Sequence, residues 1–456
     1  FFAHSFKQMI FSIANGKCGV RLCQSIAQSA RRELDRRSVA VQEFRQLHGF
    51  RTLWVDKKMT TTVPPDLTGI PAFDVDMYSD DQLRNPYAVY DQLREAGPVV
   101  YLTRHNCFGF PRYAQVREAL EDHRTYLSGK GVGLYEPGNQ TRKGTPIASD
   151  PPYHTKIRGI LNERLSLVAV RELQPDVQAK ADVLVDQVLA RGSFDGVADF
   201  ARQFPLMVMA DLIGLPEDGR DKMLGWADAG FNLFGPENER VKRSIGRFPE
   251  VTAYIKSLEQ PGRLREGSLG AAIYEAADRG VITREQAGPL MIAYLMAGLD
   301  TTINGISALV MMFGQHPDQW DMVRENPKLI PQAFNEAIRI ESPIQLLRRV
   351  TSCDVEIEGV KIPADSPVLL MYGSANRDER RWPDATRFIA NRNPVGHLAF
   401  GMGIHNCAGQ HVARLEANCI FDAMVRKVKR IEVSEGEWHL NNIIRGLERL
   451  PTKFSA

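Results

Sequence analysis

One segment constrains the fold more than any other. From about Arg284 to Gly314 the sequence reads as a single long helix, apolar nearly all round from Leu290 to Leu299. A helix without a polar face has to be buried, so the rest of the chain must wrap around it. Pro289 sits near its start, where proline is best tolerated. The apolar run from Pro289 to Leu299 falls short of the ~20 residues that span a bilayer, so a core helix is expected and no membrane partner. In its middle stands AGLDTT, Ala297 to Thr302. Gly298 thins the helix there, and Asp300 and Thr301 put a carboxylate and a hydroxyl into an apolar wall. A threonine hydroxyl that bonds back to its own helix can bend or bulge it. Such a groove is suited to holding O2 and delivering protons to it. A merely capped or kinked structural helix is the alternative.

The rest of the pattern after Met59 is mostly helical, with no repeat and no low-complexity block. PYAVYDQLREAG (86–97) reads as a helix ending at Gly97. VVYLT and NCFGF read as a short hairpin, Ser128 to Thr145 as a long ordered loop, and VEIEG and KIPADSPVLLMYG as strands. No composition break after Met59 suggests a second domain. The net charge of +2 gives no push toward nucleic acid. Residues 1–58 are nonetheless basic, with 11 Lys/Arg against 4 Asp/Glu, whereas the remaining 398 hold 46 against 51. The expected division is a basic leader, 1–58, outside the fold, and one domain over 59–456. An upstream or targeting segment and an ordered helix around Arg31–Arg45 are both readings of the leader. The six cysteines form no CxxC pair, which points to a reducing cytoplasm.

Three further motifs carry chemistry. FGMGIHNCAG, Phe400 to Gly409, sets a lone cysteine between glycines just before a helical pattern. Amide groups at a helix N-terminus stabilise a thiolate. Glycines let the backbone approach a flat cofactor, and Phe400 can cover the sulfur. A thiolate ligand pushes electron density onto iron and favours O–O cleavage. A buried structural cysteine is the bland reading. A Cys407–His405 hydrolase pair is disfavoured by their closeness on one tight loop. Glu336 and Arg339 share a helical face at i, i+3 in an otherwise apolar context, which suits a buried ion pair. In DPPYHTKIR, Pro151 and Pro152 start a helix on which His154 and Arg158 share a face. That basic pair suits a buried carboxylate or phosphate, or else a solvated surface.

These pieces, in this order, resemble the cytochrome P450 family from about residue 66 to 456. The resemblance implies a mainly α fold: one large helical domain with small β-sheets and haem b between the long helix and the Cys-loop helix. It implies that Cys407 ligates the iron, and that Asp300 and Thr301 are the acid–alcohol pair that delivers protons during O2 activation. Glu336 and Arg339 form a core pair, with Arg387 as third member. His154, Arg158, Arg349 and His397 hold the haem propionates, with Arg348 as the alternative to Arg349. Only 49 residues follow Cys407 (456 − 407), and no GxGxxG precedes a helix, so electrons are expected from a separate ferredoxin and its NAD(P)H-dependent reductase.

REAGPVVYL, FNLFGPENE, AGLDTTINGI, GSANRDERRW and RGLERLP are similar to bacterial monooxygenases of para-substituted benzoates, the 4-methoxybenzoate demethylases. The pocket lining implied is Ile147, Phe231, Phe234, Ala297, Ile344 and Leu347. The relatives' polar anchors on the long helix are here Ile292, Ala293 and Met296. Their loop arginine falls at Thr141, with Arg142 and Lys143 adjacent. Burying a carboxylate without partners is costly, so the expected substrate is a small para-substituted aromatic, a phenol or methoxyphenol sooner than a benzoate. Hydroxylation or oxidative O-demethylation is the expected reaction. A haem-binding sensor without turnover is the competing class; the acid–alcohol pair favours the enzyme.

Overall fold

The computed structural model describes residues 67–456, so the leader and Met59 lie outside the described residues. The segment Pro64–Ala456 forms one compact unit. Its labelled helices are, in chain order, α1 (Tyr87–Ala96), α2 (Tyr113–Glu121), α3 (Tyr153–Leu165), α4 (Gln174–Arg191), α5 (Gln203–Ile213), α6 (Met223–Asn232), α7 (Leu269–Asp278), α8 (Arg284–Ala297), α9 (Asp300–Gln315), α10 (Ile330–Glu341) and α11 (Gln410–Lys427). The strands are β1 (Ala72–Phe73), β2 (Val100–Leu102), β3 (Cys107–Phe110), β4 (Tyr126–Leu127), β5 (Ser193–Asp195), β6 (Leu346–Thr351), β7 (Val355–Ile357), β8 (Val360–Ile362), β9 (Pro367–Met371), β10 (Arg430–Val433), β11 (Glu437–Trp438), β12 (Leu447–Arg449) and β13 (Pro451–Ser455).

The chain folds as a helical body with a six-stranded sheet on one flank, in the order β1-β2-β3-β9-β6-β4. The expected hairpin is β2–β3, antiparallel, with Tyr101 opposite Phe108. Helix α1 ends at Gly97 as its sequence requires. Two apolar cores result. The larger joins α3 to α11 around Leu295, Leu299 and Phe313, and the smaller lies under the sheet around Phe108, Leu370 and Phe110.

The long apolar segment is two helices, not one. Thr283 and Gln286 cap the start of α8 reciprocally, with Thr283 N–H donating to Gln286 Oε1 at 2.8 Å. The helix then breaks at Gly298 and Leu299, where Leu299 has ψ −78°, and resumes as α9 at Asp300. Gly298 is needed there for space: a Cβ on it would lie 2.3 Å from Met209 Cε of α5. Taken together, Arg284–Gln315 is long and apolar enough to cross a bilayer by length and composition, but 78% of its most apolar window is buried inside the fold. It is a core element. The stretch Ser128 to Thr145, read as irregular, contains a short helix at Glu136–Thr141.

Candidate active site

One face of α8 is closed and the other open. Leu290, Met291 and Leu295 are buried, as is Leu299 beyond the helix end, whereas Ile292, Ala293 and Met296 are half-buried and Ala297 is exposed. The open face continues into α9 through Asp300 and Thr301. Thr301 Oγ1 donates to Ala297 O at 2.9 Å across the break, the back-bonding that its sequence position suggested. Burial, with the Asp228 carboxylate adding to it, raises the Asp300 carboxyl to about 7. Asp300 can therefore both hold and release a proton near neutral pH.

Cys407 sits two residues before Gly409, the N-cap of α11. Its own N–H donates to Phe400 O at 2.7 Å, closing the loop back on itself. Gly403 makes the loop possible: its φ is +65°, and a Cβ there would lie 2.4 Å from Leu120 O of α2. Burial raises the Cys407 thiol. The backbone N–H groups of Gly409 and Gln410 and the charges of Arg158 and Arg414 pull the other way, toward thiolate. The Arg414 guanidinium lies 4.4 Å over the Phe400 ring.

A basic cluster lies beside this loop. His154 and Arg158 project from α3, and Arg158 donates to Asn406 O next to Cys407. Arg349 is 2% exposed on β6, donates to Arg348 O at 2.8 Å, and has no carboxylate within ion-pair distance among the described residues. Its neighbour Arg348 points the other way, toward Gly133 O and Glu136, so strand alternation separates the two and leaves Arg349 inside. His405 completes the cluster, its ring 4.6 Å from that of His154. Burial, then the Arg349 charge, holds His405 down at about 2. Both ring nitrogens of His154 and Nε2 of His405 are buried without a hydrogen-bond partner. Such groups demand one. Two carboxylates of a flat cofactor would satisfy these nitrogens and neutralise Arg349. The residues thus fit haem, with Cys407 as the thiolate ligand.

Two expected members stand elsewhere. His397 lies apart from the cluster: its Nδ1 accepts from Ala399 N–H at 3.3 Å, its ring is 5.6 Å from Phe400, and the charges acting on it are Arg414 and Arg339. His405 takes the place assigned to it. Arg387 is exposed and is not the third member of the core pair. Arg339 donates Nε and Nη2 to Glu336 at 2.7 and 2.8 Å, and Arg392, five residues beyond Arg387, donates Nε to the same carboxylate at 2.8 Å. The irregular segment before the Cys loop has no periodicity from which to read that register.

Phe231 and Phe234 at the end of α6 stack with centroids 6.2 Å apart. Leu347 is 9% exposed, and Ile147 and Ile344 are half-buried against the same core. Arg142 is buried, with its guanidinium 3.6 Å over the Phe234 ring. It donates to Gly138 O and Gly230 O at 2.6 and 3.0 Å and has no carboxylate partner among the described residues. Burial alone lowers it to about 9. Lys143 is exposed.

The comparisons with known proteins agree with this geometry. The family model described as Cytochrome P450 matches residues 274–438. The chain is 41% identical over 400 residues to cytochrome P450 CYP199A2 of Rhodopseudomonas palustris, covering 87% of this chain and 97% of that one. It is 33% identical over 393 residues to beta-dihydromenaquinone-9 omega-hydroxylase of Mycobacterium tuberculosis, covering 83% and 78%. Among solved structures it resembles P450BioI in complex with an acyl carrier protein, with TM-score 0.74 and 27% identity, over 82% of this chain and all of that one. With a cysteine just before the first turn of a helix, an acid and an alcohol at a break in the core helix, and a relative 41% identical and covered to 97% of its length, the chain belongs to the cytochrome P450 family and is a haem b monooxygenase.

Proposed function

We propose that the enzyme hydroxylates or oxidatively O-demethylates a small para-substituted aromatic, and that Arg142 recognises a carboxylate on the end of the ring far from the reacting group. What supports the aromatic is the stacked pair Phe231 and Phe234, in the segment whose Gly230 packs against Met296 of α8. What supports the carboxylate is one observation: a buried guanidinium, 3.6 Å from Phe234 and without an acid partner among the described residues. Two of the five guanidinium N–H groups go to the Gly138 and Gly230 carbonyls, and the remaining ones can take a carboxylate. This reading departs from the neutral-substrate expectation, which rested on the apolar Ile292, Ala293 and Met296, and turns instead on Arg142, one of the two basic neighbours of the loop position.

When bound, haem b supplies the reduction of O2 and the oxidation of the substrate. The chain's own residues do the rest. Arg142 and the phenylalanines orient the ring, Leu347 and Ile344 keep water from it, and Asp300 and Thr301 hold and pass protons at their carboxyl and hydroxyl oxygens. Electrons come from a separate ferredoxin and its NAD(P)H-dependent reductase, in the cytoplasm.

Titration of 4-methoxybenzoate, 4-methylguaiacol and 4-ethylphenol, followed by the haem spin shift, tests the reading. The benzoate should bind at least tenfold more tightly than the neutral rings, roughly the value of one charge-assisted hydrogen bond. Arg142→Gln should erase that preference. Tighter binding of the phenols by the unaltered enzyme would overturn the carboxylate assignment and restore the neutral one.

A further inference from the structure

Three titratable side chains, of which only Asp228 has entered the reading so far, meet beside the first turn of α9. His439 lies between two carboxylates: Nε2 is 2.7 Å from Asp228 Oδ1 on α6, and Nδ1 is 2.8 Å from Glu448 Oε2 on β12. Asn441 Nδ2 donates to Asp228 Oδ1 at 2.7 Å, and Arg202 Nη2 donates to Glu448 Oε2 at 2.9 Å. Burial works against the charged imidazole, but a carboxylate oxygen at each ring nitrogen outweighs it and raises the pKa to about 10. It is a fixed cation across the physiological range.

The cluster is pressed onto the broken helix from two sides. His439 N–H donates to Gly446 O at 2.9 Å, and a Cβ on Gly446 would come within 1.8 Å of Asn304 Oδ1. Asn304 is one turn beyond Asp300 on the same face of α9. On the other side, a Cβ on Gly230, two residues after Asp228, would overlap Met296 at 1.3 Å from its Cε. After burial itself, the neighbouring charges that act on Asp300 belong to this cluster: Asp228, His439, Arg202 and Glu448. Asp228 and Glu448 disfavour its ionisation; His439 and Arg202 favour it.

We propose that His439 is a positioning residue for Asp300: as an imidazolium clamped between Asp228 and Glu448, it fixes both carboxylates beside the first turn of α9 and offsets their charge there. Without it, two uncompensated carboxylates would keep Asp300 protonated, and an acid that cannot release its proton cannot deliver it. Each proton that Asp300 gives up to the pocket is returned from solvent, so the balance depends on how readily the carboxyl ionises. The proposal rests on Asp300 being the proton donor.

The test reads Asp300 directly. In the haem-loaded enzyme its carboxyl is titrated by difference infrared spectroscopy, the band being assigned by its loss in Asp300→Asn. His439→Gln should raise the midpoint by roughly one pH unit, the size expected for losing one neighbouring charge. Glu448→Gln should lower it by a comparable amount, and His439→Lys should restore it. With 4-methoxybenzoate as probe, the pH dependence of product formed per NADH should move in the same directions. An unmoved midpoint in His439→Gln, even with a lowered melting temperature, would make the residue structural and overturn the proposal. If that variant does not fold, the sign of the Glu448→Gln shift decides. Unchanged coupling in Asp300→Asn would instead count against the proton-donor reading, whatever the infrared midpoints show.

Discussion

The hydroxyl of Thr301 donates to the carbonyl of Ala297 across the gap between α8 and α9, at 2.9 Å. The same hydroxyl that staples the helix break is the one proposed above to pass protons. Thr301→Ala should leave haem content and the substrate-induced spin shift unchanged while diverting reducing equivalents to peroxide. Loss of a positioned proton-transfer group is worth ~10²–10⁴-fold, so productive turnover should fall within that range. Measured NADH-to-product coupling equal to wild type would assign Thr301 to structure alone.

Cys407 receives N–H groups from Gly409 and Gln410. The reduced carbonyl complex should show the red-shifted Soret band of thiolate ligation. Cys407→His should replace it with the band of an imidazole ligand while haem is retained. A wild-type spectrum already of the imidazole kind would end the assignment.

Glu336 is fully buried and shared by Arg339 and Arg392. Arg392→Ala removes one charged hydrogen-bond donor and should cost about 1.5–3 kcal/mol in denaturant unfolding. Arg339→Ala removes the bidentate partner and should cost about 3–5 kcal/mol. Arg387→Ala, on the exposed side of the same segment, should stay within about 0.5 kcal/mol. Equal losses for Arg387 and Arg392 would contradict the register seen here.

Asp300 has its pKa raised to about 7, first by burial and then by Asp228. A carboxyl raised in the folded state opposes folding wherever the unfolded chain would ionise it. That penalty is absent below pH ~4, grows as pH rises, and is complete above pH ~7. Asp300→Asn should thus add nothing to stability at pH 4 and up to about 4 kcal/mol at pH 8. Urea midpoints at the two pH values give the comparison; an equal gain at both would show that ionisation is not the cause.

What could be read from the sequence was what spacing fixes. His154 and Arg158, Glu336 and Arg339, and Ala297 and Thr301 lie three or four residues apart, so helix geometry alone brings each pair to one face. The loop around Cys407 was legible because its glycines and the helix after it are contiguous. What could not be read was long-range register in segments without a period. Arg392 and Arg387 lie in the same irregular stretch, and nothing local chooses between them. His405 stood in plain view two residues before Cys407, but its meeting with His154 is a contact between distant segments. The His439 clamp joins Asp228 and Glu448 over 200 positions of chain. Arg142 was one of three neighbours in a loop, and only the fold shows which of them turns inward.

Arg349 is buried on β6 beside a backbone carbonyl and the Tyr372 side chain, with no carboxylate in ion-pair distance among the described residues, so an anionic cofactor that neutralises it should also stabilise the fold. A chain that finishes synthesis while haem is scarce has a desolvated cation in its core. Capture of haem and completion of the fold become one equilibrium, in which the free haem concentration sets how much of the chain is closed. Limited proteolysis should find β6 and its flanking loops open in haem-starved cells and closed when haem is restored. The quantity of enzyme, and not only its activity, would then follow the iron status of the cell.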